Sequence, residues 1–168
     1  MPDPPHPPAR PGDPPLIRVS VAAILRAAPN STTDPPSDRV YSVADRWSIL
    51  LTRRRATTVY GGYWELPGGK IESDETPEAA ARREVREEIG CAVRPERVLA
   101  PIEHVYEHAR VRLHCVLCRL EGGSPEPRDL EVEAHAWTRL SELPWEAFLP
   151  ANVRLVTALC RSLGADPL

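Results

Sequence analysis

No stretch of this 168-residue chain is apolar for long enough to span a membrane, and its first residues lack the apolar run of a secretory leader. A basic excess is missing too. The formal net charge of −3 argues against a general binder of nucleic-acid polymers. No internal repeat divides the sequence, so its length reads as one domain with room for a hydrophobic core. Cysteine is scarce. Cys115 and Cys118 form a C-x2-C, but they lie in RVRLHCVLCRL, which alternates like a strand, and strand positions three apart face opposite ways. No second pair completes a zinc site. Cys91, Cys115, Cys118 and Cys160 therefore read as buried or half-buried free thiols in a reducing, cytoplasmic compartment.

Proline, in contrast, is abundant and unevenly placed. Eight of the 20 fall in MPDPPHPPARPGDPP, which has no apolar face and few means of joining a helix or ladder. Residues 1–15 are expected to form a disordered or polyproline-like tail, and residues 16–168 the folded domain. PNSTTDPPSDR (29–39) reads as an exposed loop between two strands.

The rest mixes strand and helix patterns. LIRVSVAAILRAA (16–28) is β-branched and aliphatic, and a second strand is expected around Trp47–Thr52. WELPGGKIE follows, with a Pro-Gly-Gly that must turn sharply. Thr76 suits a helix N-cap, Pro77 the first helical position and Gly90 the residue past the end. Between them Ala81, Val85 and Ile89 recur every four residues as an apolar stripe. RVLAPIEHVYEHA and RVRLHCVLCRLEG read as a hairpin, and EAHAWTRL as one more strand. A last helix is expected from near Asn152 to Gly164, with Val156, Leu159, Cys160 and Leu163 on one face. The pattern implies an α/β (α+β) domain in which a mixed β-sheet is sandwiched between helices.

Glu84, Glu87 and Glu88 stand at i, i+3 and i+4, so their side chains share one helical face with Cβ atoms roughly 5–6 Å apart. Like charges so placed repel. One explanation is a solvated helix whose glutamates pair with Arg82, Arg83 and Arg86. The other is a hard divalent cation such as Mg2+, which takes carboxylate oxygens and completes its shell with water and substrate phosphates. A Gly-Gly turn beside this face allows a ligand close to the backbone.

Gly69, Glu75, Arg83-Glu84-Val85, Glu87-Glu88 and Gly90 resemble the Nudix box, G-x5-E-x7-R-E-U-x-E-E-x-G-U with U a bulky aliphatic. Cys91 departs from the last U, at a cost in packing only. The resemblance covers residues 16–163; WELPGGKIE, ILLTRRR and AWTRLSELPWEAFLPAN look like the MutT-like branch. It implies the Nudix fold and hydrolysis of nucleoside triphosphates to monophosphate and pyrophosphate with Mg2+, or Mn2+, as cofactor. The implied partner is the nucleotide, with no nucleic-acid polymer and no membrane, and a monomer is compatible with it.

The same resemblance assigns roles. Glu84, Glu87 and Glu88 with the Gly68 carbonyl would hold the metal, and Glu84 or Glu131 would accept the proton of the attacking water. Arg83 would orient a ligating glutamate through a charge-assisted hydrogen bond, and Glu75 would sit by the first-turn N–H groups. Arg54 is placed near the substrate's phosphate, with a plain basic strand end (Arg53–Arg55) as the other reading. Glu65, Leu66, Pro67 and Gly68 are expected to contact substrate, with the pocket wall around Leu66, His108 and Asn152. Leu66 stands where MutT has an aromatic residue. Asn152 would read the base, its alternative being a simple N-cap. Substrate candidates are 8-oxo-dGTP, CTP or a modified dCTP, and other nucleoside-diphosphate derivatives. A non-catalytic nucleotide-sensing module would have lost box glutamates, and none is lost.

Overall fold

A computed structural model describes residues 14–28, 42–106 and 109–164. The expectations for residues 1–13, for the 29–39 insertion and for His108 lie outside the described residues. Strand β1 spans Leu16–Ala27, and its two faces are both apolar because both are covered. Val21 and Ala23 point into one buried cluster, Ala22 and Ile24 into the other. Pro15, assigned to the tail, already belongs to the fold: its carbonyl accepts the Arg110 N–H at 3.0 Å.

A four-residue helix α1 (Val43–Arg46) precedes β2 (Trp47–Arg53), β3 (Trp64–Glu65) and β4 (Gly68–Lys70). Helix α2 covers Pro77–Ile89, followed by β5 (Val93–Val98), β6 (Ile102–Val105), β7 (Arg110–Leu120), β8 (Ala134–Arg139) and helix α3 (Pro150–Ser162). The strands join one mixed sheet whose spine runs β3-β2-β1-β7-β5, with β4 on β1, β6 on β7 and β8 on β2. The β1–β7 pair is parallel; every other named pair is antiparallel. The expected hairpin is β6–β7. Gly68–Lys70, expected only to turn, pairs with Val19–Val21 as a short strand.

Helices pack on both faces of the sheet, α3 with the short α1 on one and α2 on the other, which gives the expected α/β/α layers. Leu155, Val156, Leu159 and Cys160 of α3 meet Ile49, Leu51, Leu113 and Cys115. On the other face Ala81, Val85 and Ile89 of α2 meet Leu50, Val116 and Cys118. Burying each large aliphatic is worth about 1.5–3 kcal/mol. Cys115 and Cys118 fall in opposite clusters, and all four cysteines are free and buried.

Helix α2 carries the signals its sequence advertises. Thr76 Oγ1 accepts the Ala79 N–H at 3.2 Å, Pro77 opens the helix, and Gly90 closes it in the left-handed region at φ 71°. Ser20 Oγ of β1 donates to the Pro77 carbonyl at 2.6 Å and pins the helix start to the sheet. Helix α3 begins at Pro150, two residues before the expected start, so Asn152 lies in its first turn and is not the N-cap.

Candidate active site

Arg83 organises the acidic face of α2. Nε donates to Glu75 Oε1 (3.0 Å), Nη2 to Glu75 Oε2 (3.0 Å) and the Lys70 carbonyl (2.9 Å), and Nη1 to Glu84 Oε1 (2.7 Å) and Glu87 Oε2 (3.1 Å). All five N–H donors of the guanidinium are thus engaged. Glu75 does not sit over the first-turn N–H groups as expected. Its oxygens take Arg83 and the Glu72 N–H (3.1 Å), because Thr76 already caps the helix. Arg83 holds the Glu75 carboxyl below its ordinary range.

Glu84 lies directly over Gly69, where any side chain would collide with its carboxylate. Burial raises the Glu84 carboxyl, against the pull of Arg83. Glu88 is deeper, and its Oε2 accepts the Gly68 N–H at 3.1 Å. Burial, then the charges of Glu65 and Glu84, push Glu88 up to about 9. Glu65 is raised by burial as well, opposed by Arg54.

Among the described residues no three His, Cys, Asp or Glu side chains meet in metal-ligand geometry. Glu84, Glu87 and Glu88 do not converge: the first two turn to Arg83 and the third to the Gly68 N–H. Like charges on adjacent turns repel, and separate N–H donors take them up. The donor set still fits a hard cation. It is all oxygen, and the Glu84 and Glu88 carboxylates are held where burial and neighbouring carboxylates penalise their charge, which a divalent ion would neutralise.

Beside this face opens a cleft of about 330 Å³, with Val19, Val21 and Leu113 as an apolar wall. Arg54, Glu65, Asn152, Gly68 and Gly69 line it, together with Tyr60 and Tyr106. Asn152 is 1% exposed, and its Oδ1 accepts the Leu66 N–H at 3.1 Å. That bond fixes which way the amide faces and leaves the NH2 end to the cleft. Leu66 itself is buried in the core against α3, and Pro67 is buried with its carbonyl on the Ala22 N–H. Neither residue lines the cleft, and Leu66 bears on it only through the N–H that holds Asn152 Oδ1. Arg54 Nη1 donates to Glu65 Oε1 at 2.8 Å and Nε to the Val59 carbonyl at 2.9 Å. Glu131 is exposed ahead of β8, and its N–H donates to the Glu88 carbonyl at 3.1 Å, outside the cleft lining.

A family model described as NUDIX domain matches residues 35–159. The chain belongs to the Nudix family. It is 35% identical over 114 residues to an 8-oxo-dGTP diphosphatase of Escherichia coli, covering 67% of this chain and 86% of that protein. It is 29% identical over 119 residues to a CTP pyrophosphohydrolase of the same bacterium, covering 71% and 87%. Among solved structures, the MutT NUDIX hydrolase of Burkholderia pseudomallei superposes with a TM-score of 0.63 at 26% identity, covering 84% of this chain and 95% of that one. This MutT-like Nudix hydrolase is thus an enzyme of the pyrophosphohydrolase type. Its Nudix box begins in β4 and ends just past α2, so the Gly-Gly strand and the acidic helix are one unit clasped by Arg83.

Two residues of the Nudix cleft escaped the sequence reading. Tyr60 and Tyr106 meet at its mouth with ring centroids 5.7 Å apart, and the Tyr106 hydroxyl is bonded to the backbone of Ala151. A signal was available: in a chain only 5% aromatic, VYGGYW and HVYEH set tyrosines at the edges of strands.

Proposed function

We propose that this Nudix hydrolase is a Mg2+-dependent nucleoside triphosphate pyrophosphohydrolase of the MutT type, acting in the cytoplasm on 8-oxo-dGTP or a related triphosphate. The observation that carries the reading is the buried Asn152 amide, locked by the Leu66 N–H in the same cleft that Gly68 and Gly69 line, the two glycines against which the Glu88 and Glu84 carboxylates rest. Asn152 Nδ2 donates to a base carbonyl such as O6, and Oδ1 keeps a second lone pair for the N7–H that oxidation creates. Unoxidised guanine offers acceptors at both positions, so N7 would face Oδ1 acceptor to acceptor. A site built on such a pair rejects the mismatched base strongly.

At the other end the chain's residues place the polyphosphate and the water. Glu84, Glu87, Glu88 and the Gly68 carbonyl are the groups that would hold Mg2+ (or Mn2+), which when bound neutralises charge on the phosphate oxygens. Arg83 fixes Glu84 and Glu87 against side-chain drift, and Gly69 leaves room for the Glu84 carboxylate. The proton of the attacking water goes to Glu84 or, from the loop before β8, to Glu131.

A second reading, CTP or a modified dCTP, has its own support. Glu65 places a buried carboxylate in the cleft, and carboxylates accept from the exocyclic amine of cytosine. A kinetic panel of 8-oxo-dGTP, dGTP, CTP, dCTP and ADP-ribose with Mg2+, products identified, separates the two. Monophosphate and pyrophosphate with a strong 8-oxo preference are expected. Preference for cytidine substrates would transfer the assignment to the second reading, and no turnover by folded protein would point to a sensing module.

A further inference from the structure

Two of the large apolar side chains left exposed among the described residues, Tyr60 and Tyr63, meet edge-on with ring centroids 6.1 Å apart, and Tyr60 lines the cleft. Tyr60 also has a backbone φ of 59°, a conformation that bulky L-residues seldom adopt and that the surroundings must enforce. The enforcement is visible. The Arg54 N–H donates to the Tyr63 carbonyl and the Gly62 N–H to the Arg54 carbonyl, closing the loop, while Arg54 Nε donates to the Val59 carbonyl next to Tyr60. The same guanidinium holds Glu65 inside the cleft.

We propose that Tyr60 is a substrate-binding residue that stacks on the nucleotide's base, and that Arg54 is its positioning residue, tying the aromatic rim to Glu65, with no phosphate contact of its own. The proposal rests on the cleft receiving a nucleotide. Tyr60 and Tyr106 cannot sandwich a base as they stand. Two stacking gaps need about 7 Å between rings, twice the optimal carbon contact of about 3.5 Å, and the centroids are 5.7 Å apart. A base must therefore replace one ring as the other's partner. Tyr106 is tethered through its hydroxyl to Ala151, whereas the Tyr60 side chain is 38% exposed, so Tyr60 is the ring that yields to the base. The base exchanges one aromatic neighbour for another, and Tyr60 closes over it.

Calorimetric binding to the full chain with Mg2+ tests this, using 8-oxo-dGMP, dGMP, CMP and inorganic tripolyphosphate. Tyr60→Leu is expected to weaken the best-bound nucleotide by about tenfold, the scale of one base–aromatic stack. Tyr60→Phe should bind as the parent does, and tripolyphosphate should bind equally to all three. Arg54→Met should reproduce the Tyr60→Leu loss, and the double variant should lose little more. Unchanged nucleotide binding by Tyr60→Leu would overturn the proposal while leaving the pyrophosphohydrolase reading intact. So would an Arg54→Met loss on tripolyphosphate as large as on nucleotide. If the parent protein binds none of the three nucleotides, both readings fall.

Discussion

Gly69→Ala asks whether the seat of the Glu84 carboxylate matters separately from the fold. A Cβ at Gly69 would lie 2.6 Å from Glu84 Oε2, against an ordinary contact of about 3.5 Å, so the carboxylate must move by about 1 Å. The obstructed group is the far end of a flexible side chain, and Gly69 does not use the left-handed region, so the backbone can stay in place. A misplacement of about 1 Å costs about a hundredfold in rate, or about 2.7 kcal/mol in barrier. Stability should fall by no more than that. Losing the 2.7 Å Arg83–Glu84 bond costs about 1.5–3 kcal/mol, partly offset by the roughly 0.4–1 kcal/mol gained when alanine restricts the unfolded chain. The expected outcome is a kcat for pyrophosphate release about a hundredfold down, with Tm lowered by only a few degrees. Turnover within about threefold of the parent would refute the geometry argued for Glu84. Loss of cooperative unfolding would refute the claim that the adjustment stays in one side chain.

Arg83→Lys keeps the charge but cannot supply a five-donor fork, so kcat should fall by about ten- to a hundredfold and Tm by several degrees; parental kinetics would show that orientation by the guanidinium is dispensable. Glu87→Gln, on a half-exposed side chain, should cut turnover by about a hundredfold or more with Tm nearly unchanged, and near-normal turnover would remove Glu87 from the metal set. Glu88 gives a pH signature. Its folded pKa is raised to about 9, so its contribution is fully present below the unfolded carboxylate value and is lost as pH rises toward 9. In chelator, Tm should fall between pH 6 and 9; Glu88→Gln should flatten that fall and Mg2+ should reverse it, and an equal slope in the variant would contradict the assignment.

Local signals made α2 legible: Thr76, Pro77 and Gly90 act within one turn of the helix ends, and the stripe of Ala81, Val85 and Ile89 is a short-range period. The acidic face and its arginine were legible for the same reason. Strand β5 was not, because VRPERV carries three charges and a proline. It tolerates Pro95 because, among the described residues, it pairs with β7 alone, and its register slips between Pro95 and Arg97. Gly68–Lys70 reads as a turn because nothing nearby announces its pairing with β1. Asn152 suits a cap in isolation; Pro150 takes the helix start, and the bond that defines Asn152 comes from Leu66, 86 residues away. The commitment of Arg54 to a loop carbonyl is likewise invisible to a reading that sees only a basic strand end.

The parallel β1–β7 pair has a consequence for how the protein is made. Residues 16–24 pair with residues 110–118, so one edge of an apolar strand near the start of the chain stays open until roughly ninety more residues exist. At ribosomal speeds of about 5–20 residues per second that is about 5–18 s of exposure. Strands β2 and β4 can cover only the opposite edge in the meantime. Synthesis of this fold therefore includes an interval in which a half-finished chain is sticky, and translation rate or chaperone supply should govern its yield more than the strength of the finished core.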